Sequence, residues 1–346
     1  MTAPIVAALE FLARGDALTE AQAHAAVAAI MTGEVPDPLV AAFLTGLRVR
    51  GETAADLAGA VAAVRAQAIP WPRATGDVSA PVLDTCGTGG DGACTVNIST
   101  ATAIVVAAAG VPVAKHGNRS ASGNSGSAEV LTELGVKIDP ELPILVRSLR
   151  ELGLTFLFAP KFHPALRFAA PVRRLLPFRT LFNLVGPLAN PAGPTHQLIG
   201  VPDPRLADLM AAAIARLGIT RAAVVTGGDG LDEVSLGAAT RVCWVEHGRI
   251  EVRAWPRDAF GLPPTIPDQL RVSGPAESAQ VIRGILAGEP GPTRDTVLAN
   301  AAAALLVAGA VDELGGGVEQ AARAIDTGAA AGLLGRWASL SHSDSD

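Results

Sequence analysis

A glycine-rich segment between Asp84 and Thr100 contains residue types that suit the binding of an anion. Glycines at positions 87, 89, 90 and 92 are followed by Thr95, Asn97 and Ser99, and a helix is predicted to begin near Ser99. Glycine lets backbone N–H groups approach an anion closely, and a helix N-terminus adds partial positive charge. The segment has neither a Walker A ending nor a GxGxxG pattern. We therefore predict a phosphate-binding loop rather than an ordinary strand-to-helix turn.

A second polar segment runs from Lys115 to Ser127 and follows a predicted strand that begins at Val111. Lys115 and Arg119 stand here among serines, asparagines and glycines. The two cations could balance phosphate charge, while hydroxyls and amides complete the set of donors. The alternative is a solvated polar loop. Two anion-binding loops after successive strands would indicate a substrate with two separate phosphate groups.

The third motif is the adjacent pair Asp232 and Glu233, which follows a glycine-rich turn that begins at Gly227. Neighbouring carboxylates repel each other unless a cation lies between them, and their hard oxygen atoms suit Mg²⁺ rather than zinc. The alternative is the start of a helix, where acidic residues are favoured by the helix dipole. Taken alone, this motif leaves both interpretations open.

The first 70 or so residues are predicted to form helices only. One helix follows a cap at Thr19, another covers Pro38–Arg50, and a third follows Thr53, with apolar residues at helical spacing. The stretch from Ile69 to Gly76 contains prolines and a glycine and marks the predicted boundary. We therefore predict a helical domain over residues 1–75 and an α/β domain over residues 76–346.

Beyond this boundary, short apolar strands alternate with helical stretches, which is typical of an α/β domain with a largely parallel sheet. A further helix is predicted over Pro164–Leu176, in a segment around residues 160–190 that would return to the helical domain. The predicted strands are Pro81–Leu83, Val111–Ala114, Ala222–Thr226 and Arg241–Val245, and the helices between them include Thr100–Ala109 and Asp208–Leu217.

The composition limits the class of protein. The chain has 346 residues, a formal net charge of −6 and 49% apolar residues, which excludes a mainly disordered chain and argues against a nucleic-acid partner. Its thiols, Cys86, Cys94 and Cys243, lack the CxxC spacing of a zinc site and do not form an even disulfide set. The longest apolar run, Ala103–Val113, is too short to cross a membrane. We predict a cytoplasmic protein with no membrane partner.

Together these motifs resemble the anthranilate phosphoribosyltransferase family. The resemblance rests on GTGGDG with NIST, on KHGNRS with SGSAEVL, on Arg173 within PVRRLLPFRTLFNLVGPLANP, and on GLDEVS, in that order along the chain. It extends from AFLTGLRVRGET near the N-terminus to AIDTGAAAGLLGRW near the C-terminus. It implies a nucleoside phosphorylase/phosphoribosyltransferase-like fold with a small helical and a larger α/β domain, and a homodimer formed through the helical domain.

The implied reaction is the second step of tryptophan biosynthesis from chorismate. The amine of anthranilate would displace pyrophosphate from C1 of phosphoribosyl pyrophosphate, with Mg²⁺ bound as two ions. Contacts to phosphoribosyl pyrophosphate are implied at Gly87, Gly90, Asp91, Thr95, Asn97, Ile98, Ser99, Thr100, Lys115, His116, Gly117, Asn118, Arg119, Ser120, Ala121, Ser122, Gly123 and Ser127. Contacts to anthranilate are implied at Gly87, Asn118 and Arg173, and Mg²⁺ ligands at Ser99, Asp232 and Glu233.

Lys115, His116 and Asn118 are the candidate catalytic residues. Breaking the C1–O bond leaves a cation-like ribosyl centre and a strongly negative leaving group, so charge stabilisation by Mg²⁺, loop N–H groups and Lys115 is the main expected effect. His116 is the nearest candidate to accept the amine proton. For His116, as for His163, a purely structural role is the alternative.

Three positions depart from the pattern of the family. Asn124 replaces a frequent lysine or arginine, Leu166 a frequent aromatic residue, and Pro177 a frequent glycine. We expect these changes to alter affinity rather than the type of reaction.

Two other functions share this fold class. A pyrimidine-nucleoside phosphorylase would bind one phosphate, and Arg173, the NRS sequence after KHG and the Asp232–Glu233 pair all argue against it. A non-catalytic nucleic-acid-binding relative would lose the substrate motifs and gain basic charge, whereas here the motifs are present and the net charge is −6.

Overall fold

The computed structural model describes residues 2–72, 81–89, 92–120 and 125–344. Gly90, Asp91 and residues 121–124, which are predicted to belong to the two anion-binding loops, lie outside the described residues. The predicted domain boundary at residues 75 and 76 also lies outside them. The domain limits therefore remain a prediction.

The N-terminal part is a bundle of four helices, α1 (Ala3–Ala13), α2 (Glu20–Met31), α3 (Asp37–Arg50) and α4 (Ala54–Ala66). The predicted caps are confirmed, because Thr19 forms a capping box with Gln22 and Thr53 forms one with Asp56. Helices α2 and α4 approach each other closely at Gly59, where a Cβ atom would lie 2.3 Å from the carbonyl oxygen of Glu20. Only glycine fits between the two backbones at that point.

The rest of the chain is built on one seven-stranded sheet with strand order β3-β2-β1-β4-β5-β6-β7. The first five strands are parallel to one another, and β6 and β7 are added antiparallel at one edge. The strands are β1 (Leu83–Gly87), β2 (Val113–Gly117), β3 (Leu154–Phe158), β4 (His196–Gly200), β5 (Arg221–Gly227), β6 (Thr240–Glu246) and β7 (Arg249–Trp255). This arrangement confirms the predicted fold class of a small helical domain and a larger α/β domain with a mostly parallel sheet.

Eleven further helices connect and cover the strands in the described part of the chain. They are α5 (Ile98–Ala108), α6 (Ser127–Glu133), α7 (Leu142–Leu152), α8 (Ala159–Phe162), α9 (Ala170–Leu175), α10 (Leu181–Leu188), α11 (Pro204–Arg216), α12 (Pro275–Leu286), α13 (Pro292–Ala308), α14 (Leu314–Asp326) and α15 (Ala329–Ser341). Short 3₁₀ helices cover Pro164–Phe168, Arg257–Phe260 and Pro267–Leu270.

The two faces of the sheet belong to different hydrophobic cores. Leu198 and Val225 face the core formed with α5 and α13, whereas the adjacent residues Ile199 and Val224 face the core shared with the helical bundle. This alternation follows from the two-residue period of a strand. Phe182 and other residues of α9 and α10 also lie in the second core. The sheet and the bundle are thus joined by continuous apolar packing.

Three predicted elements need correction. The strand predicted over Pro81–Leu83 is β1, which starts at Leu83 and extends to Gly87. The strand predicted over Val111–Ala114 is β2, which starts two residues later and extends to Gly117, so Lys115 and His116 lie in the strand and not in the loop after it. These polar residues are tolerated there because each has a buried hydrogen-bond partner. The single helix predicted over Pro164–Leu176 is a 3₁₀ helix followed by α9. Pro171 has no N–H to continue the preceding helix.

Candidate active site

The predicted loops meet at the carboxyl ends of the parallel strands. β1 pairs with β2 on one side and with β4 on the other, and Gly87 at the end of β1 is paired with Gly200 at the end of β4. The strand that follows β1 in the chain, β2, lies on one side of the β1–β4 pair, and the strand that follows β4, β5, lies on the other side. The strand order therefore reverses between β1 and β4. Open α/β sheets bind ligands in the crevice at such a switch point.

Lys115 lies at the centre of this edge and is almost completely buried, with 2% of its surface exposed. Its Nζ donates hydrogen bonds to the carbonyl oxygen of Thr85 at 2.5 Å and to Ser99 Oγ at 3.2 Å. Burial lowers the pKa of Lys115, while the nearby carboxylates of Asp84 and Glu233 act in the opposite direction. Lys115 therefore connects the first loop, α5 and the acidic pair.

Asp84 is a buried carboxylate whose charge acts on Lys115. Its carboxylate accepts hydrogen bonds from the backbone N–H of His116 at 3.1 Å and from Asn190 Nδ2 at 2.8 Å. Burial raises the pKa of Asp84 to about 6, although the charge of Lys115 and the Asn190 bond act to lower it. Asn190 also donates to the carbonyl oxygen of Ala114 at 2.7 Å, so one amide fixes both Asp84 and strand β2.

His116 lies beside a second buried histidine. Its Nδ1 is 3.1 Å from the carbonyl oxygen of Gly186, and its ring meets the ring of His163 edge to face, with centroids 5.2 Å apart. Burial, followed by the nearby His163, lowers the pKa of His116 to about 3. Burial also lowers the pKa of His163 to about 4. Both rings are therefore neutral at pH 7, and a pKa near 3 makes His116 a weak proton acceptor.

The loop after β5 reaches across β4 to the first glycine-rich loop. Asp232 Oδ2 accepts a hydrogen bond from the backbone N–H of Gly89 at 2.9 Å. A Cβ atom at Gly200 would lie 1.5 Å from the carbonyl oxygen of Asp232, and one at Gly87 would lie 2.8 Å from Asp232 Oδ2. Two glycines at the ends of β1 and β4 thus leave the space that Asp232 occupies.

The second loop is tied to the start of α6. The carbonyl oxygen of Asn118 accepts hydrogen bonds from Ser127 Oγ and from the N–H of Ala128, both at 3.3 Å. Glu129 accepts a hydrogen bond from the N–H of Ser120. The guanidinium of Arg119 lies 5.9 Å from the centre of the Phe158 ring. The described part of the loop, together with Gly117 at the end of β2, is therefore anchored in front of Lys115.

Several residues predicted to contact phosphate are bonded to the protein or buried in it. Asn97 Oδ1 accepts hydrogen bonds from Ser125 Oγ at 2.7 Å and from Ser278 Oγ at 2.9 Å, so it links the second loop to α12. Thr95 forms an isolated bridge with Arg271. Ile98 and Thr100 are each 1% exposed. Their backbone N–H groups are also used inside the protein, because Ile98 donates to the carbonyl oxygen of Val96 at 2.7 Å and Thr100 to that of Asn97 at 3.0 Å.

Arg173 lies on α9, at the side where α10 approaches His116. Its guanidinium is 5.7 Å from the centre of the Phe182 ring on α10, and burial lowers its pKa. Arg173 is half-buried, whereas the adjacent Arg174 is exposed. α10 also supplies the carbonyl oxygen of Gly186 to His116. The structure therefore connects Arg173 to the site through α10.

Two residues of this site are not predicted from the sequence. Asn190 holds Asp84, and Arg179 donates to the carbonyl oxygens of Thr88 at 2.7 Å and Gly89 at 2.5 Å. The available signals are weak. Asn190 belongs to the Leu-Ala-Asn-Pro sequence, and Arg179 immediately precedes the capping box that Thr180 forms with Asn183. Neither signal indicates a partner about 100 residues away.

Comparison with known proteins identifies the class. A family model described as the helical bundle domain of a glycosyl transferase family matches residues 6–68, and the a/b domain of the same family matches residues 79–331. Fold and site therefore define a glycosyl transferase with a helical and an α/β domain. Anthranilate phosphoribosyltransferase from Thermomicrobium roseum is 49% identical over 337 residues, which cover 96% of each chain. The chain belongs to the anthranilate phosphoribosyltransferase family, as predicted.

Solved structures agree with this assignment. The crystal structure of anthranilate phosphoribosyltransferase from Thermus thermophilus has a TM-score of 0.90 and 39% identity, and the match covers 97% of this chain and 99% of that chain. The enzyme from Saccharomyces cerevisiae in complex with PRPP and Mg has a TM-score of 0.86 and 26% identity, covering 99% and 98% of the two chains. Within the described residues, every helix is too short or too polar to cross a membrane.

Proposed function

We propose that this protein transfers the phosphoribosyl group of phosphoribosyl pyrophosphate to the amine of anthranilate, as the second step of tryptophan biosynthesis from chorismate. The C1–O bond to pyrophosphate breaks, a C1–N bond forms, and the amine loses a proton, which gives N-(5-phosphoribosyl)anthranilate. The observation that carries this proposal is the set of contacts at the ends of the parallel strands, where Lys115 donates to Ser99 Oγ at the start of α5 and Asp232 accepts from the N–H of Gly89 in the first loop. Family membership supports the same reaction.

Phosphate recognition is assigned to the two glycine-rich loops. The N-terminus of α5 adds partial positive charge, and Lys115, which donates to Ser99 Oγ in the first turn of that helix, supplies a full positive charge next to it. Arg119 and the N–H groups of the loop after β2 provide the second donor set. A departing pyrophosphate gains negative charge, so fixed donors in this partly buried edge stabilise the transition state more than the bound substrate.

The donor set at the acidic loop fits Mg²⁺. Asp232 and Glu233 supply carboxylate oxygens, Ser99 supplies a hydroxyl held by Lys115, and the glycines at the ends of β1 and β4 let Asp232 lie close against both strands. Mg²⁺ is usually held by one or two carboxylates, with water and substrate phosphates as its other ligands. When bound here it would neutralise charge on the pyrophosphate. The family resemblance supports two such ions.

Anthranilate is assigned to the side of the site formed by Gly87, Asn118 and Arg173. Arg173 carries a planar guanidinium, which can hold a carboxylate with two parallel N–H donors. The reactive amine is adjacent to that carboxylate on the ring. A fixed carboxylate therefore orients the amine relative to C1, and such orientation contributes much of the rate.

Proton removal makes a small demand on the protein. An aromatic amine is neutral at pH 7, so no strong base is needed before the C–N bond forms. The low pKa of His116 argues against a major role in accepting the proton. We assign His116 a structural role instead. Its backbone N–H donates to Asp84, and its ring contacts the carbonyl oxygen of Gly186 on α10. Its catalytic role, like that of Asn118, remains a prediction.

Assembly as a homodimer through the helical domain is also part of the proposal. Val49 on α3 is 82% exposed and Leu175 on α9 is 80% exposed. Burial of both in a contact between two copies would remove this apolar surface from water. A cytoplasmic location remains a prediction from the sequence.

A coupled assay tests the proposed reaction. Purified protein is incubated with anthranilate, phosphoribosyl pyrophosphate and Mg²⁺, and pyrophosphate release is measured together with the loss of anthranilate fluorescence. We expect both signals only when all three components are present. Replacement of phosphoribosyl pyrophosphate by ribose 1-phosphate and a pyrimidine base serves as the control for phosphorylase activity. Pyrophosphate release that does not depend on anthranilate would contradict the proposal.

A further inference from the structure

The peptide unit between Thr88 and Gly89 is held from both sides. Its carbonyl oxygen accepts a hydrogen bond from Arg179 Nη2 at 2.7 Å, and its N–H donates to Asp232 Oδ2 at 2.9 Å. The C=O and N–H of a trans peptide point in opposite directions. Arg179 and Asp232 therefore lie on opposite sides of the same peptide.

Arg179 also fixes the next peptide. Its Nη1 donates to the carbonyl oxygen of Gly89 at 2.5 Å, so one guanidinium holds two consecutive carbonyl groups. The N–H of Thr88 is held separately by the carbonyl oxygen of Gly200 at 2.9 Å. Burial lowers the pKa of Arg179, and the charge of Asp232 partly offsets this effect. The cation is thus close enough to Asp232 to interact with it across the peptide.

Glycine gives this segment an alternative that Arg179 opposes. Gly89 has a φ of +61°, and glycine changes between such conformations at little cost. A peptide flip would turn the Thr88 carbonyl toward Asp232 and toward any phosphate bound there, where two negative dipoles or charges would repel each other. We propose that Arg179 is a positioning residue that holds the Thr88–Gly89 peptide with its N–H directed at the metal and pyrophosphate site.

This inference rests on the proposed function and extends it. Arg179 lies between α9, which carries Arg173, and α10, so a loss of local structure alone would disturb anthranilate binding as well. A positioning role predicts a different result. Pyrophosphate binding and the KM for phosphoribosyl pyrophosphate change, while the KM for anthranilate stays near its original value.

The test uses calorimetric titration of inorganic pyrophosphate in the presence of Mg²⁺. We expect Arg179→Ala to weaken pyrophosphate binding about 10-fold or more, because two hydrogen bonds from a charged donor are lost. Arg179→Lys keeps one charged donor and should recover part of this loss. Gly89→Ala should also weaken binding several-fold, because an alanine disfavours this φ and no atom lies within 4 Å of its Cβ.

Arg174→Ala is the matched control, since Arg174 is exposed on the same segment. Unfolding midpoints establish that each variant is folded. If Arg179→Ala does not fold, Arg179→Lys and Gly89→Ala carry the test. Pyrophosphate binding equal to the original protein in the folded variants, or an equal rise in KM for both substrates, would overturn the inference. An original protein that makes no product would contradict the proposed function instead, and the titrations would still decide the role of Arg179.

Discussion

Lys115 Nζ lies 3.2 Å from Ser99 Oγ, and this contact joins strand β2 to the first turn of helix α5. The same ammonium group donates to the carbonyl oxygen of Thr85 in the middle of β1. One buried cation therefore sets the relative position of two strands and of a proposed Mg²⁺ ligand. The charge of the buried Asp84 carboxylate also acts on Lys115. We therefore expect a substitution of Lys115 to lower both the stability of the fold and the activity of the enzyme.

We predict that Lys115→Met lowers turnover at least 100-fold and destabilises the fold at pH 7 by about 1–3 kcal/mol, because the hydrogen bonds of Lys115 to Thr85 and Ser99 are lost and the buried Asp84 loses a nearby positive charge. The pKa of Asp84, raised to about 6 by burial and lowered by Lys115, should rise further. A group whose pKa is higher in the folded than in the unfolded protein favours the folded state when it is protonated. This contribution is complete at a pH below the unfolded pKa and is lost as the pH rises through the folded pKa. The destabilisation of the variant relative to the original protein should therefore become smaller between pH 7 and pH 5.

Urea unfolding at the two pH values measures this effect. The control is Lys115→Met combined with Asp84→Asn, in which this difference between the two pH values should disappear. Equal destabilisation of Lys115→Met at pH 5 and pH 7 would show that the charge of Asp84 is not what Lys115 balances.

The two buried histidines predict acid sensitivity of the whole fold. Burial lowers the pKa of His116 to about 3 and that of His163 to about 4. A lowered pKa contributes stability above the unfolded value near 6.5, which is lost as pH falls toward the folded value. Asp84, with a pKa of about 6 in the folded protein, takes up a proton in the same range and so opposes this loss of stability. One carboxyl group, however, offsets the effect of only one of the two imidazoles. We expect the free energy of unfolding to fall by about 1–3 kcal/mol between pH 7 and pH 5.

Chemical denaturation across this range measures the slope, and His163→Gln should flatten it because one of the two groups is removed. His342, which is exposed near the C-terminus, provides the matched control as His342→Gln. A free energy of unfolding that is constant from pH 7 to pH 5 would contradict the prediction.

Much of the site could be predicted because its residues lie in contiguous motifs. The stretch from Asp84 to Thr100 contains both the loop and the helix start that an anion needs, and chain order alone places the loops after successive strands. Arg179 and Asn190 could not be predicted in this way, since their partners at Gly89 and Asp84 are about 100 residues distant in sequence. Their contacts exist only after the sheet has formed.

The missed strands have a related explanation. Leu154–Phe158 is a continuous apolar run directly after a helix, and a short run of this kind does not distinguish a buried strand from a helix. Arg249–Trp255 is largely exposed, so its membership of the sheet depends on pairing with β6 rather than on burial. His196–Gly200 contains histidine and glutamine, and Gln197 is buried because it donates to the carbonyl oxygen of Pro187.

The acidic pair predicts a metal-dependent loss of activity. We expect Asp232→Asn combined with Glu233→Gln to lower activity at least 100-fold, about 3 kcal/mol in transition-state energy, while the protein stays folded. Activity is measured over a range of Mg²⁺ concentrations, with Asp312→Asn, an exposed carboxylate elsewhere, as the control. Near-normal turnover of the folded double variant at low Mg²⁺ would exclude this pair as the metal site.

The exposed apolar residues Val49 and Leu175 predict the effect of charge on assembly. Val49→Glu combined with Leu175→Glu should convert a dimer into a monomer, because two buried charges in each copy would oppose the contact. Analytical ultracentrifugation measures the mass, and Val252→Glu, an exposed apolar position on β7, is the control. A double variant that sediments like the original protein would place the contact elsewhere.

Arg173 and Arg174 together test how the two substrates are separated in the site. Arg173 is half-buried near the ring of Phe182, and we propose that its guanidinium binds the anthranilate carboxylate, away from the phosphate loops at the strand ends. Hydrogen bonds to a charged group contribute about 1.5–3 kcal/mol, and 1.4 kcal/mol corresponds to about tenfold in affinity. Arg173→Ala should therefore raise the KM for anthranilate about 10- to 100-fold and leave that for phosphoribosyl pyrophosphate nearly unchanged.

Arg174→Ala should be almost silent, because neighbouring helical residues point about 100° apart and Arg174 is exposed. Steady-state kinetics with each substrate varied in turn distinguishes the outcomes. An equal rise in both KM values for Arg173→Ala would mean that its loss disturbs α9 as a whole, since α10 connects this region to His116. Greater sensitivity of Arg174 would place the anthranilate carboxylate on the exposed face of α9, away from the strand ends, and would require a different path for the amine to reach C1.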